Sequence, residues 1–152
     1  MKNLFLISLA TLALATSCKK DEPATPPAST TMQLSGSFSS ANEIPAVSTP
    51  SSASGSASGT FDTNTKLLTY TLSFTGLTEA PLYAHFHFGD AKHKGPVTIP
   101  FNNVPAATSG TITGSTPLTP AQADSLMAGR IYANIHTPKN QTGEIRANVV
   151  VK

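Results

Sequence analysis

Charge is scarce in this sequence. Lys, Arg, Asp and Glu make up 12% of the 152 residues, and the formal net charge is only +2. No stretch concentrates Lys or Arg, which argues against a nucleic-acid partner, because phosphate binding needs clustered cations. Cysteine is scarcer still. The single Cys18 excludes an internal disulfide and a cysteine-rich metal site. Long apolar runs are also missing. The clearest, Leu4 to Ala15, spans about a dozen residues, well short of the ~20 that a membrane helix needs. Helical periodicity is almost absent, whereas 10 glycines and 12 prolines sit among many Ser and Thr residues. That mixture suits short strands and frequent turns.

The N-terminal apolar run follows Lys2 and ends in the small residues of "ATSC". This is the layout of a secretory leader, and "ATSC" resembles a bacterial lipobox. The resemblance implies a leader over residues 1–18, with Cys18 becoming the lipid-modified first residue of the mature chain. An ordinary secretory cleavage beside a chance cysteine is the plainer alternative. Residues 19–31, "KKDEPATPPASTT", are charged and then rich in Pro and Thr, and read as an extended tether. Lys19 directly after the cysteine favours the outer membrane. "CKKDE" resembles the export signal of surface lipoproteins. The expected location is therefore a lipid anchor in the cell envelope, on the periplasmic face or the cell surface of the outer membrane.

Residues 32–152 form the expected domain. "MQLSGSF" alternates as a strand does, and "NEIPAV" carries Pro45, which confines it to an edge or a bulge. "SSASGSAS" reads as a loop or the lead into a strand. A polar turn at Asp62 to Thr65 joins two alternating segments into a hairpin. Further strands are read at "PLYAHFHF", "VTIPF", "SGTITGS", "RIYANIHT" and "GEIRANVVV". The one helix candidate is "TPAQADSLMAG", with Thr119 as N-cap, Pro120 at the first helical position and Gly129 as terminator. Seven or eight short strands at this spacing predict an all-β, antiparallel Greek-key β-sandwich with one short helix.

Alternation along a strand assigns side chains to faces. In "LYAHFHF", Leu82, Ala84, Phe86 and Phe88 take the core face, which leaves Tyr83, His85 and His87 opposite. In "RIYANIHT", Tyr132, Asn134 and His136 take the outer face. In "GEIRANV", Glu144, Arg146 and Asn148 do. Same-face neighbours lie roughly 6.5–7 Å apart and adjacent strands about 4.8 Å apart, so His85 and His87 can share one ion with a third histidine. His136 is the natural third, and His93, in the loop "DAKHKGP", is a fourth candidate. Imidazoles without thiolate suit Cu(II) or Zn. Tyr83 and Asn134 are candidates for the ion's surroundings. The plainer readings make the histidines surface polarity, the two tyrosines rim residues with wet hydroxyls, and Arg146 with Glu144 a salt bridge. Asp90 and Gly89 read as the turn that ends the His-x-His strand.

Together, "LSGSFSSANEIPAV", "YAHFHFGD" and "GRIYANIHTPKNQTGEIRANV" resemble the CHRD domain, named after chordin, over about Met32 to Val151. More distantly, "GLTEAPLYAHFHFGD" and "GRIYANIH" are similar to segments of copper–zinc superoxide dismutases. That likeness implies copper-ligand positions at His85, His87 and His136. It also puts Arg146 near an anion-guiding arginine and leaves the zinc site missing. The expected function is a membrane-tethered copper (or zinc) domain for sequestration or delivery, more a binder than an enzyme. The alternatives are a structural or adhesive module with a protein or polysaccharide partner, and a weak dismutase-like redox enzyme.

Overall fold

The computed structural model describes residues 30–152. The expected leader, Cys18 and the tether up to residue 29 lie outside the described residues. Eight strands form: β1 (Thr31–Ser39), β2 (Ser54–Asp62), β3 (Leu67–Thr75), β4 (Tyr83–Phe88), β5 (Val97–Pro100), β6 (Gly110–Pro117), β7 (Ile131–His136) and β8 (Ile145–Val151). The single α-helix among the described residues, α1 (Pro120–Met127), has the expected start and stop. Thr119 and Gln122 cap each other's backbone, Pro120 opens the first turn, and Gly129 leaves the helix at φ 65°.

All pairings between named strands are antiparallel, in the order β5-β4-β7-β8-β1-β2-β3-β6. The expected all-β architecture is therefore present, but its two layers belong to one continuous sheet. Four strands separate β3 from β4 in that order, yet the rings of Tyr70 and Phe86 meet edge-on with centroids 5.2 Å apart. The sheet has to curl over itself to bring them together. Phe101, just after β5, joins the same aromatic cluster. Phe61, Leu72, Ile112, Ile135 and Ile145 complete a core that excludes water from the inner face.

Two segments depart from their sequence reading. Ser54 to Ser58, in "SSASGSAS", is regular strand paired on both sides, so of its two readings the lead into a strand holds and the loop does not. Gly55 and Gly59 stand opposite Phe74 and Tyr70 of β3. A Cβ on Gly55 would run into the carbonyl oxygen of Ser73. Small residues there let a curled sheet close around large rings, a requirement that composition alone presents as a loop. The second departure is "NEIPAV". A 3-10 turn at Ser40–Asn42 precedes it, and the segment leaves the sheet as a loop. Asn42 draws this loop across β8 by donating to the carbonyls of Ser37 and Arg146.

Adding one methyl at Gly55 should therefore destabilise the domain, whereas an equal addition on the opposite face of the same strand should not. Gly55→Ala is expected to lower the unfolding free energy by about 1–3 kcal/mol. Ser56→Thr, pointing outward, should stay within about 0.5 kcal/mol of the parent. Urea denaturation of the two variants checks the contrast, and equal midpoints would contradict the packing described.

Candidate metal centre

Strands β4 and β7 pair directly, with Tyr83 opposite His136, His85 opposite Asn134 and His87 opposite Tyr132. Parity points all six side chains to the outer face. His136 thus lies diagonal to His85, and their ring centroids are 4.6 Å apart. His85 and His87 are 4.4 Å apart. One ligating atom from each of His85, His87 and His136 can be chosen so that all lie within 4.8 Å of one another. On its other side β4 pairs with β5 through a bulge between Phe86 and His87, a local irregularity beside the histidines.

The second nitrogen of two rings is held. His87 Nδ1 is 2.9 Å from the carbonyl of Gly95, and His136 Nδ1 is 2.8 Å from the carbonyl of Gln141. A carbonyl can only accept, so both rings carry their proton on Nδ1 and keep a lone pair on Nε2. Both Nε2 atoms, and Nδ1 of His85, are buried without a hydrogen-bond partner among the described residues. A buried polar atom left unmatched costs about 1–3 kcal/mol, and each of the three clustered rings carries one. This donor set, neutral imidazole with the far nitrogen anchored on a carbonyl, is the form in which histidine ligates a metal.

Burial also keeps the rings neutral. Desolvation pushes His85 down to about 4, assisted by the neighbouring His136 and His87. Desolvation pushes His136 down to about 4 as well, although its bond to Gln141 opposes the shift. His87 is lowered by the same burial, against the pull of its Gly95 bond.

The surroundings are less exposed than the sequence suggests. Tyr132, expected at a wet rim, is 4% exposed. It stacks on His87 at 4.7 Å with the planes 2° apart, and the Arg146 guanidinium carbon lies 3.5 Å from the centre of its ring. Arg146 is fully buried and donates through Nη2 to the carbonyls of Asp90 and His93. The expected Arg146–Glu144 salt bridge does not form. The Glu144 carboxylate is taken instead by the hydroxyls of Ser51, Thr78 and Thr137 and by the Thr78 amide. Nor is Arg146 presented to solvent as an anion guide. Its guanidinium ties down the loop after β4.

His93 stands apart from the other three histidines. Its side chain is 75% exposed, and its Nδ1 contacts the Asp90 carboxylate at 2.8 Å. Asp90 also accepts from the amides of Lys92 and His93, which makes the expected turn. Tyr83 is partly exposed and lies against the rings of His136 (4.7 Å) and His85 (5.6 Å). Asn134 is buried and donates to Glu43 Oε1 at 2.6 Å.

Glu43 is the participant that sequence reasoning missed. Burial raises its carboxyl to about 7, against the opposing charge of Arg146 and the bond from Asn134. Its only sequence signal was position, two residues before Pro45 in a segment read as an edge or a bulge. Two glycines let the cover close. Gly143 sits at φ 128°, where a Cβ would lie 2.6 Å from the Asn134 amide and 2.7 Å from Glu43 Oε2. Gly89 sits at φ 140°, where a Cβ would strike the His93 carbonyl.

Fold and site together define an all-β domain with a buried histidine cluster on the outer face of its sheet. The profile of the CHRD domain matches residues 34–149, and the chain belongs to that family. No curated protein and no solved structure gives a significant match to it.

The titration of the cluster predicts how the metal-free domain responds to acid. His85 and His136 stay neutral to about pH 4 when folded, whereas an unfolded histidine takes its proton near 6.5. Between these values the unfolded state binds more protons, so stability falls as the pH drops from about 6.5 towards 4. Glu43 acts in the opposite sense, because it is held protonated to about 7 against 4.5 unfolded. Several histidines outweigh one carboxyl, and the net loss towards acid should be on the order of a few kcal/mol. Urea midpoints in chelator at pH 4.5, 5.5 and 6.5 should rise with pH, and more steeply in Glu43→Gln. A flat profile in both proteins would contradict the burial described.

Proposed function

We propose that this CHRD domain is a metal-binding module of the cell envelope, taking copper (or zinc) through His85, His87 and His136 for sequestration or delivery. One observation carries the reading: three imidazoles can each bring a ligating atom within 4.8 Å of the others, each ring has a buried nitrogen without a partner among the described residues, and two have their tautomer set by a backbone carbonyl. Nitrogen ligands without thiolate suit copper and zinc. Bound there, the ion would supply the cationic partner that these acceptors lack in the protein. The chain's own part is to hold the rings neutral, anchor their far nitrogens and keep the face dry. His93 falls outside this ligand set. Lipid attachment at Cys18, with residues 19–29 as a tether that stops short of β1, would place the domain at the outer membrane, and its support is the leader-like sequence of residues 1–18. A dismutase-like activity draws no support from Arg146, which is buried and committed to two backbone carbonyls.

Calorimetric titration of the protein with Cu(II) and Zn(II) tests the reading. His85→Ala, His87→Ala and His136→Ala should each lose ~10–100-fold or more in affinity, since even changes behind the ligands cost that much. His93→Ala should bind as the parent does. An ordinary imidazole site releases metal as the pH falls through about 6.5. With His85 and His136 neutral to about 4, binding should persist at pH 5.5. Unchanged affinity in His85→Ala and His136→Ala would remove the shared site.

A further inference from the structure

The opposite half of the sheet carries a second surface of a different kind. Strands β1, β2, β3 and β6 run side by side, and their inner faces line the core. On the outer face the register places Ser35, Ser58, Thr71 and Thr113 in one row across the four strands. One step along, Ser37, Ser56, Ser73 and Thr111 make the next row. Every outward position in 33–39, 54–60, 69–75 and 111–115 is Ser or Thr apart from Gln33, and all are exposed or half-buried. Adjacent hydroxyls touch in places, as in Thr69 with Ser115 at 3.2 Å and Ser73 with Thr111 at 3.4 Å. Strand geometry spaces this array at about 4.8 Å across the strands and roughly 6.7 Å along them.

No Lys, Arg, Asp, Glu or aromatic residue stands at any of these positions. Asp62, the last residue of β2, Lys66 in the β2–β3 turn and Lys152 beside Gln33 all stand at one end of the array. A solvated sheet face normally mixes both signs of charge, so this segregation has to be read chemically. With no cation or anion inside it, the array has no complement for a charged polymer or an anionic lipid surface. Its exposed aliphatics, Leu67 and Val150, stand at separate edges and no aromatic joins them, so the array lacks the central anchors of a protein interface. Three strand gaps by three same-face steps cover ~300 Å², far below the ~800 Å² per partner of a standard protein complex. The face offers closely spaced groups that both donate and accept hydrogen bonds, in a two-dimensional repeat.

We propose that this face docks onto an uncharged, hydroxyl-rich polysaccharide surface. Such a surface presents the same chemistry in return, repeated and without charge, so each hydroxyl of the array can exchange a water for a sugar hydroxyl. A single copy binds weakly, and several copies side by side bind by avidity. The site is independent of the histidine cluster, which lies on β4 and β7.

The test is partition of the full chain, in a non-ionic detergent, onto insoluble cellulose and chitin particles, with sulfated cellulose as the charged control. The parent should partition onto at least one neutral polymer above an inert-protein control, equally in low and in 1 M salt. Thr71→Lys or Ser56→Lys, each placing a charge inside the array, should weaken this at least ~10-fold, because an unpaired charge at the contact is desolvated. Their circular dichroism and metal titration should match the parent, while His85→Ala should bind the polymer unchanged. Failure to bind both neutral polymers overturns the proposal, as does equal binding by Thr71→Lys. A concentration-dependent dimer of the parent that Thr71→Lys abolishes would assign the face to a second copy of the chain and also overturn it.

Discussion

The buried Arg146 guanidinium is the contact on which the histidine site depends. A cation with no exposure needs partners for its donors: Nη2 of Arg146 finds them in the Asp90 and His93 carbonyls of the loop after β4 and Nε in Asn148 Oδ1, while Nη1 has none among the described residues. That bond holds the loop down against Tyr132. The same loop continues to Gly95, whose carbonyl sets the tautomer of His87. Tyr132 lies between the guanidinium and the His87 ring, stacked on one and covered by the other. One buried charge therefore reaches the ligating nitrogen of His87 through a loop on one path and a ring on the other.

Glu144 does the equivalent work on the far side. Its carboxylate gathers Ser51, Thr78 and Thr137 from three separate connections. Burial by itself would raise this carboxyl, but the hydrogen bonds outweigh it and hold the group below its ordinary value. Glu43 shows the reverse balance. With fewer donors for its charge, desolvation prevails and the carboxyl is pushed up to about 7. Two acids in one polar cover thus differ in protonation because of the number of hydrogen bonds each receives. The histidines beneath feel the same dry environment, which favours their neutral, ligating form.

The two halves of the curled sheet use their outer faces in opposite ways. Over β4, β7 and β8, loops cover the face, so polar side chains are buried and every unmet atom carries a cost. Over β1, β2, β3 and β6 no described residue covers the face, and hydroxyls stand exposed or pair along neighbouring strands. The histidine cluster and the hydroxyl array are separated by this difference in cover as much as by distance.

Much of this was legible in the amino-acid sequence, because strand and helix signals are local. Alternation placed Ala84, Phe86, Ile131, Ile135 and Ile145 inward, and it set Tyr83, His85, His87 and His136 on the opposite face. Thr119, Pro120 and Gly129 marked both ends of the helix. What alternation cannot express is whether an outward face meets water. The loops carrying Glu43, Gly95 and Gln141 close over β7 and β8 only in the folded chain, so Tyr132 and Arg146 read as surface residues and are buried. Charge pairing was misjudged for the same reason, since Glu144 and Arg146 share a face but each has nearer partners from distant segments. His93 had the right residue type and the wrong place, in a turn held by Asp90. Side-chain parity is a property of the strand and was determined by the sequence alone. Burial, tautomer and the convergence of three nitrogens depend on residues far apart in the chain, and only the tertiary structure decided them.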